Sequence, residues 1–496
     1  MLALAHSQAL VGIDGHPVEV EADVASSNTA SFTIVGLPDQ GVREARERVR
    51  SGIHASGFDF PYDRVTVNLA PGSLRKLGAR HDLAIAASLL GATGQLPKAR
   101  VARALLLGEL ALDGRVRPVP GALLAAETAR QTGLETVICA LSTAREAALV
   151  SEVQVIGVET LVEAALWLRG ELVLDVAEPA ESSVGWDGLE LADVRGQPLA
   201  RRALELAAVG GHSLLFVGPP GVGKTMLARR LTSILPDLDR HRALAVTRIH
   251  SAAGLLTPGG GISLRPPFRA PHHGASAAAL AGGGAGPQPG EVTLAHGGVL
   301  FLDELSEFTR PALEALRQPL EDGEVTIARV AGRARFPADV QLVAATNPCP
   351  CGGLGGCRCT RERLERYRAR LSGPLVDRID LVVRVDPPDP EVLTSDRPEA
   401  SAVVRERVLQ AVAHATRRGQ TARNARLELA ELETLGIVAD ARRIVETAAR
   451  ARSISARGQV RLLRLARSAA DLEGAEQIER SHVAEALSLH PRGGAL

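Results

Sequence analysis

The chain has 496 residues, 45% of them hydrophobic but only 2% aromatic, and its 57 basic side chains balance 57 acidic ones. That length exceeds one hydrophobic core and points to about three domains, with interiors built from Leu, Val, Ile and Ala. Zero formal charge removes any overall electrostatic case for nucleic acid. No long charge-free apolar run and no basic leader is present, so neither a membrane span nor a secretory signal is expected, and the cytosol is the expected location.

In chain order, residues 1–172 mix strands and helices. ALVGI, HPVEVEADV, SFTIVG and RVTVNLA read as strands and VREARERVRSGIHASG as a helix. HDLAIAASLLGA and GALLAAETARQTG are apolar helices, followed by the short strands TVICA and VQVIGV. Residues 173–190, polar with Pro, Gly and Ser, are the expected linker. Residues 191–390 open with helix (PLARRALELAAVG), strand (HSLLFVG), loop and helix (KTMLARRLTSILP), the start of an α/β nucleotide-binding unit. A Gly/Pro-rich insertion at 253–290 is expected to hold little regular structure. Residues 391–496 read as helices around 400–417, 425–450, 458–470 and 478–489, with PRGGAL as a frayed end.

Gly218-Pro219-Pro220-Gly221-Val222-Gly223-Lys224-Thr225 matches GxxxxGK[ST] at every fixed place, between an apolar strand and an amphipathic helix. Backbone N–H groups of such a loop and of the helix N-terminus surround phosphates. Lys224 is expected to reach the β- and γ-phosphates of ATP, and Thr225 to hold Mg2+ through its hydroxyl. Only three of the basic residues are lysines, and Lys224 stands where a compact point charge is wanted.

Val299-Leu300-Phe301-Leu302 leads into Asp303 and Glu304, a buried strand delivering two carboxylates at its C-terminal end. Asp303 would join the magnesium shell, and Glu304 would orient or deprotonate the attacking water. A further apolar strand, QLVAATN, ends in Asn347, which would complete the water-positioning set. Arg378, in LSGPLVDRIDL, suits an arginine supplied to a neighbour's developing phosphate charge, or else a surface pair with Asp377 or Asp380. Arg457, Arg461 and Arg464 fall on one helical side, and Arg457, at the helix start, is the expected lid contact to the γ-phosphate. Both arginine roles require a ring of subunits.

These motifs resemble the YifB/ComM family of magnesium-chelatase-like AAA+ ATPases and, more distantly, the MCM helicases. The stretches that carry the resemblance are FTIVGLPDQGVREARERVRSGI, RPPFRAPHHGASAAALAGGG, PGEVTLAHGGVLFLDEL, ATNPCPCG and LSGPLVDRIDL, and together they cover nearly the whole chain. The resemblance implies an α/β fold in three parts. They are a ribosomal-protein-S5-like, Lon-protease-like domain at 1–172, an AAA+ P-loop core at 191–390 with a helix-2 insert and a pre-sensor hairpin, and a helical lid at 391–496. Arg80 stands where Lon-type catalysis needs serine, and the helix around 121–130 has no lysine. The first domain is therefore expected to be an inactive scaffold or partner platform.

The same resemblance implies a hexameric ring motor on single-stranded or branched DNA, driving branch migration or unwinding during recombination or DNA uptake, with recombination proteins as partners. Its phosphate contacts would come from Arg265 and Arg269 of the insert, near His272 and His273. Arg329, Arg333 and Arg335, around the Ala331-Gly332 turn of the hairpin GEVTIARVAGRARF, would supply the rest. Inter-subunit packing is the plainer reading of both features. The competing functions are a protein-remodelling motor, with Phe268 as its pore aromatic, and the ATPase subunit of a magnesium-chelatase-like complex.

Cys349, Cys351, Cys357 and Cys359 follow Asn347 on a glycine-rich loop. Four thiolates suit structural Zn2+, although CxC is tighter than the usual zinc spacing, and free thiols, an iron–sulfur site or a disulfide remain open. Cys139, in TVICA, reads as a buried small hydrophobe.

Overall fold

The computed structural model describes residues 1–490 except 28, 181–187, 258, 285–286, 330–331, 354–355, 371–374, 376–377, 390, 392–396 and 453. The side chains of 328, 329, 332, 333 and 452 also lie outside that description. So do the expected Ala331-Gly332 turn, through its first residue, and the tail PRGGAL.

The N-terminal region is built on a seven-stranded sheet. Its order is Ser31–Val35, Arg64–Ala70, Asp14–Ala25, Leu2–Val11, Ala104–Leu107, Thr136–Ala140 and Gln154–Val158. Asp14–Ala25 runs antiparallel to both its neighbours, and the other pairings are parallel. Val18, Val20, Ala22 and Val24 alternate onto the buried face, as the two-residue period of a strand requires. Helix Gln40–Ala55 starts at Asp39, whose carboxylate accepts from the Val42 N–H, and packs Val42, Ala45, Val49 and Ile53 inward.

Two strands depart from expectation. The first runs Leu2–Val11 instead of ALVGI, because its polar interior is accommodated: Ser7 Oγ lies 3.0 Å from His81 Nδ1, and the Gln8 amide donates to Thr128 at 3.4 Å. Ala104–Leu107, too short to show a period, is a fully buried parallel strand.

A five-stranded parallel sheet forms the second layer, in the order Phe268–Arg269, Val299–Leu302, Gln341–Thr346, Leu214–Val217, Leu381–Arg384. Its strands are near-continuous apolar runs because both faces are covered. Leu214, Phe216, Phe301 and Val343 pack toward helix Pro198–Gly210 and the C-terminal helices. Leu215, Leu300, Leu302 and Leu342 pack the other way, with Leu313 and Phe336. The glycine-rich stretch is more ordered than expected, since it returns the edge strand Phe268–Arg269 to this sheet. Gly298 permits that return: a Cβ there would lie 2.0 Å from the Pro267 carbonyl oxygen.

The two layers touch. Ile13 joins the cluster containing Phe336, Arg248 Nε donates to Glu127 at 2.9 Å, and Ser251 Oγ donates to Glu146 at 2.5 Å.

The C-terminal region is helical: Ser401–Arg417, Leu429–Thr434, Ala439–Arg452, Ala456–Leu472 and Arg480–Leu489. The single helix expected at 425–450 is broken, because Gly436 takes φ of 85° and turns the chain. Inside this bundle Asp471 accepts from Arg418 and Asn424 and pairs with fully buried Arg467 at 2.9 Å. Asp471→Ala would leave the fully buried Arg467 guanidinium without its counter-charge and is expected to cost about 3–5 kcal/mol. Urea unfolding checks this; a destabilisation under about 1 kcal/mol would mean the network contributes no more than surface pairs do.

Candidate nucleotide site

Gly218 follows the C-terminal end of strand Leu214–Val217, and its N–H donates to the Thr346 carbonyl at 3.2 Å. A side chain has no room there: a Cβ would lie 2.1 Å from the Val385 carbonyl oxygen. Gly221 and Gly223 take φ of 81° and 91°, which glycine adopts without strain, and helix Lys224–Arg230 starts at once. The resulting cradle presents the helix N-terminus to its mouth.

Lys224 is nearly buried. Its ammonium donates to the carbonyls of Gly218 and Pro219, both at 2.7 Å, and to Asn347 Oδ1 at 3.0 Å. Burial lowers its pKa, opposed by the charges of Asp303 and Glu304. Thr225 Oγ1 donates to Asp303 Oδ2 at 2.6 Å. Asp303 Oδ1 in turn accepts from the Glu304 N–H at 2.9 Å. Glu304 has φ of 51°, a left-handed conformation that costs a residue with a Cβ about 1–3 kcal/mol and is concentrated at functional sites. The residues expected for ATP and magnesium therefore meet at one sheet edge. Thr225 and Asp303 offer adjacent hard oxygens, a donor set that fits Mg2+.

Two further residues belong to this cluster. Edge strand Phe268–Arg269 runs parallel to Val299–Leu302, so the loop after it emerges at the same edge and puts His273 Nδ1 3.4 Å from Glu304 Oε2. Buried Tyr367 donates from its hydroxyl to the Asn347 carbonyl at 3.0 Å and accepts from Ser306 Oγ at 2.9 Å. The HH pair is a visible signal for the first; a tyrosine amid arginines in helix Arg361–Arg370 signals nothing.

The arginines lie elsewhere. Arg378 Nη2 meets Glu321 at 2.5 Å, and Arg457 Nη2 meets the same carboxylate at 3.2 Å. Arg378, and after it Arg457, holds that carboxyl below its usual range. Both line a cavity of about 630 Å³ with Arg242, Arg426, Arg461 and Arg464. This cavity opens at the other end of the sheet: its wall includes Ser213, the residue before strand Leu214–Val217, whose N–H donates to Asp380 at 2.9 Å. Four strand residues, roughly 13 Å of chain, separate that end from the phosphate loop. The expected lid contact from Arg457 to the γ-phosphate is therefore not one within its own subunit, because the lid helix packs its start against the strand beginnings. Of the expected partners of Arg378, Asp380 accepts from the Ser213 N–H, and residue 377 lies outside the described residues. Arg461 and Arg464 donate to the carbonyls of Ile379 and Leu427.

Arg269 is committed to a bidentate pair with Glu291 (2.7 and 2.8 Å), which ties the edge strand to the next helix, so it is not a free phosphate contact. Arg265 is half-buried just before that strand. Strands Glu324–Arg329 and Gly332–Pro337 form the expected antiparallel hairpin, with Arg329 opposite Gly332, Arg333 opposite Ala328, and exposed Arg335 opposite Thr326. Where Arg329 and Arg333 direct their side chains lies outside the described residues. The sulfur atoms of Cys349, Cys351, Cys357 and Cys359 all lie within 4.8 Å of one another, a group able to hold a metal ion, and Cys139 is fully buried. No helix among the described residues is long and apolar enough to cross a membrane.

A five-stranded parallel sheet with a glycine-rich GxxxxGK[ST] loop after strand Leu214–Val217, which lies between Gln341–Thr346 and Leu381–Arg384, followed by a helical region, is an AAA+-like ATPase architecture. Three family models match in succession: "Subunit ChlI of Mg-chelatase" over residues 20–143, "Magnesium chelatase, subunit ChlI" over 190–393, and "Magnesium chelatase, subunit ChlI C-terminal" over 398–490. Among curated proteins, the chain is 43% identical to the uncharacterised protein YifB of Salmonella typhimurium, across 98% of this chain and 96% of that one. It is likewise 43% identical to competence protein ComM of Haemophilus influenzae, across 98% and 97%. The chain belongs to the YifB/ComM family of magnesium-chelatase-like AAA+ ATPases.

Proposed function

We propose that the chain hydrolyses Mg-ATP in a site shared by neighbouring subunits of a hexameric ring, acting in the cytosol. The observation that carries this is the junction of Lys224 with Asn347 and of Thr225 with Asp303 beside Glu304 at one sheet edge. In this reading, loop 218–223 and Lys224 hold the triphosphate, while Thr225 and Asp303 hold Mg2+, which neutralises charge on the phosphate oxygens. Glu304, checked by His273, accepts the proton of the attacking water, and Asn347 holds that water in line. Arg378 and Arg457, at the far end of the sheet, serve the phosphates of the adjoining subunit. The division of labour follows the domains: an S5-like platform at 1–172, a linker at 173–190, the AAA+ core at 191–390 with its insert at 253–290 and pre-sensor hairpin, and the lid at 391–496.

For the substrate we propose DNA, single-stranded or branched, gripped by the hairpin carrying Arg329, Arg333 and Arg335 and remodelled by branch migration or unwinding alongside recombination proteins. The supports are the basic hairpin and the 43% identity to a protein named for competence. A magnesium-chelatase-type ATPase acting on a partner protein is the second reading, and the three family models favour it directly. ATP turnover with and without forked DNA separates them. The DNA reading expects stimulation that falls when the three arginines are neutralised, and a salt slope of binding reduced by about 0.7–0.9 for each arginine that grips a phosphate. Turnover indifferent to DNA, with no DNA bound, would leave the partner-protein reading.

A further inference from the structure

We propose that Cys349, Cys351, Cys357 and Cys359 hold one tetrahedral Zn2+ that clamps Asn347 against Lys224, so that metal occupancy sets how tightly the chain grips nucleotide. This rests on the ATP site proposed above for its consequence, though not for the metal itself.

Packing does not account for the cluster. Cys351 and Cys357 are exposed and Cys359 is half-exposed, so three of the four thiols gain little from burial, yet all four converge. Cys349 and Cys351 sulfurs are 3.3 Å apart and those of Cys351 and Cys357 are 4.0 Å apart. A disulfide bond is about 2.05 Å long. Four sulfurs around Zn2+ at about 2.3 Å stand roughly 3.8 Å from each other. The observed spacings bracket that value. Tight turns make the convergence possible: Gly352 and Gly353 take φ of 81° and 76°, and the Gly352 N–H closes back on the Cys349 carbonyl at 3.0 Å. Zinc would bind as thiolates, releasing the thiol protons to solvent.

The position of the cluster supplies its role. Cys349 and Cys351 begin two residues after Asn347. Cys357 and Cys359 end just before helix Arg361–Arg370, whose Tyr367 donates to the Asn347 carbonyl. One ion bound to both pairs closes the loop between Asn347 and the residue bracing it. The same loop abuts the phosphate loop, since a Cβ on Gly352 would lie 2.9 Å from Pro220 Cδ. The metal would therefore fix both sides of the Lys224–Asn347 hydrogen bond.

The test uses the full chain, purified under reducing conditions with zinc supplied. Elemental analysis should find about one zinc per chain, also in Lys224→Ala, and none in the Cys351→Ser/Cys357→Ser double variant. Affinity for a fluorescent ATP analogue should fall about tenfold in the double variant, the scale of one charge-assisted hydrogen bond. In an Asn347→Ala background, removing the metal should weaken affinity no further. Wild-type chain stripped by a chelator and then refilled guards against a misfolded variant, and its affinity should fall and return. Absence of zinc, or iron in its place, would overturn the site. Zinc removed with unchanged affinity would overturn the clamp. If the zinc-loaded chain bound no nucleotide, the ATP site and the clamp would fall together, while the zinc count would still decide the metal site.

Discussion

Glu304→Gln is expected to slow ATP turnover by about 10²–10⁴-fold, the usual range for losing a positioned general base, while ATP remains bound and the ring assembled. Glutamine keeps the size of the side chain and removes the proton acceptor. The contacts that would hold nucleotide and metal do not depend on Glu304, because Lys224 rests on Asn347 and loop carbonyls, and Thr225 on Asp303. The effect should thus lie in kcat, with nucleotide affinity near that of the parent. Steady-state turnover beside equilibrium binding of the ATP analogue makes the check. An active Glu304→Gln chain would remove Glu304 from its role and return attention to His273, whose imidazole lies 3.4 Å from that carboxylate.

Arg378→Ala is expected to cost about 10³–10⁵-fold in turnover, the range for removing an arginine that stabilises phosphoryl transfer from across an interface. Within one chain such an effect would be puzzling, since Arg378 lies on Glu321 at the strand beginnings, away from its own phosphate loop. Across an interface it is natural. Arg457→Ala should act in the same direction, because Arg457 shares that carboxylate. Affinity for ATP in an isolated subunit should be untouched by either change, and turnover at concentrations that populate the ring should collapse. Equal activity in the variants would make these arginines structural partners of Glu321 and nothing more.

Much of the nucleotide site is legible in the sequence because its parts are local. GPPGVGKT carries its own turn geometry in glycines, and the runs VLFL and QLVAAT announce buried strands that end in their polar residues. Their meeting at one edge follows from parallel strands that all deliver their C-terminal ends to the same side. What escapes is set by tertiary placement. His273 reaches Glu304 only because two residues, Phe268 and Arg269, add an edge strand, a segment too short for any periodicity. Tyr367 and Glu321 matter through partners far along the chain. The face of a helix containing Arg457 can be read from spacing, but the part of the sheet it covers cannot. Spacing alone therefore suggests a lid arginine, while its position at the end of the sheet opposite its own phosphate loop emerges only from the fold. Gly436 breaks a helix for a local reason, since glycine is a poor helix residue and the β-branched pair Ile437-Val438 follows it.

The shared site is tested most directly by mixing two inactive chains. Lys224→Ala removes the phosphate grip and keeps Arg378; Arg378→Ala removes the arginine and keeps the phosphate loop. Assembled together, the two should regain ATP turnover that neither shows alone, because some interfaces then pair an intact loop with an intact arginine. Turnover of the mixture no greater than that of its parts, with mixed rings demonstrably formed, would contradict a site divided between neighbouring subunits.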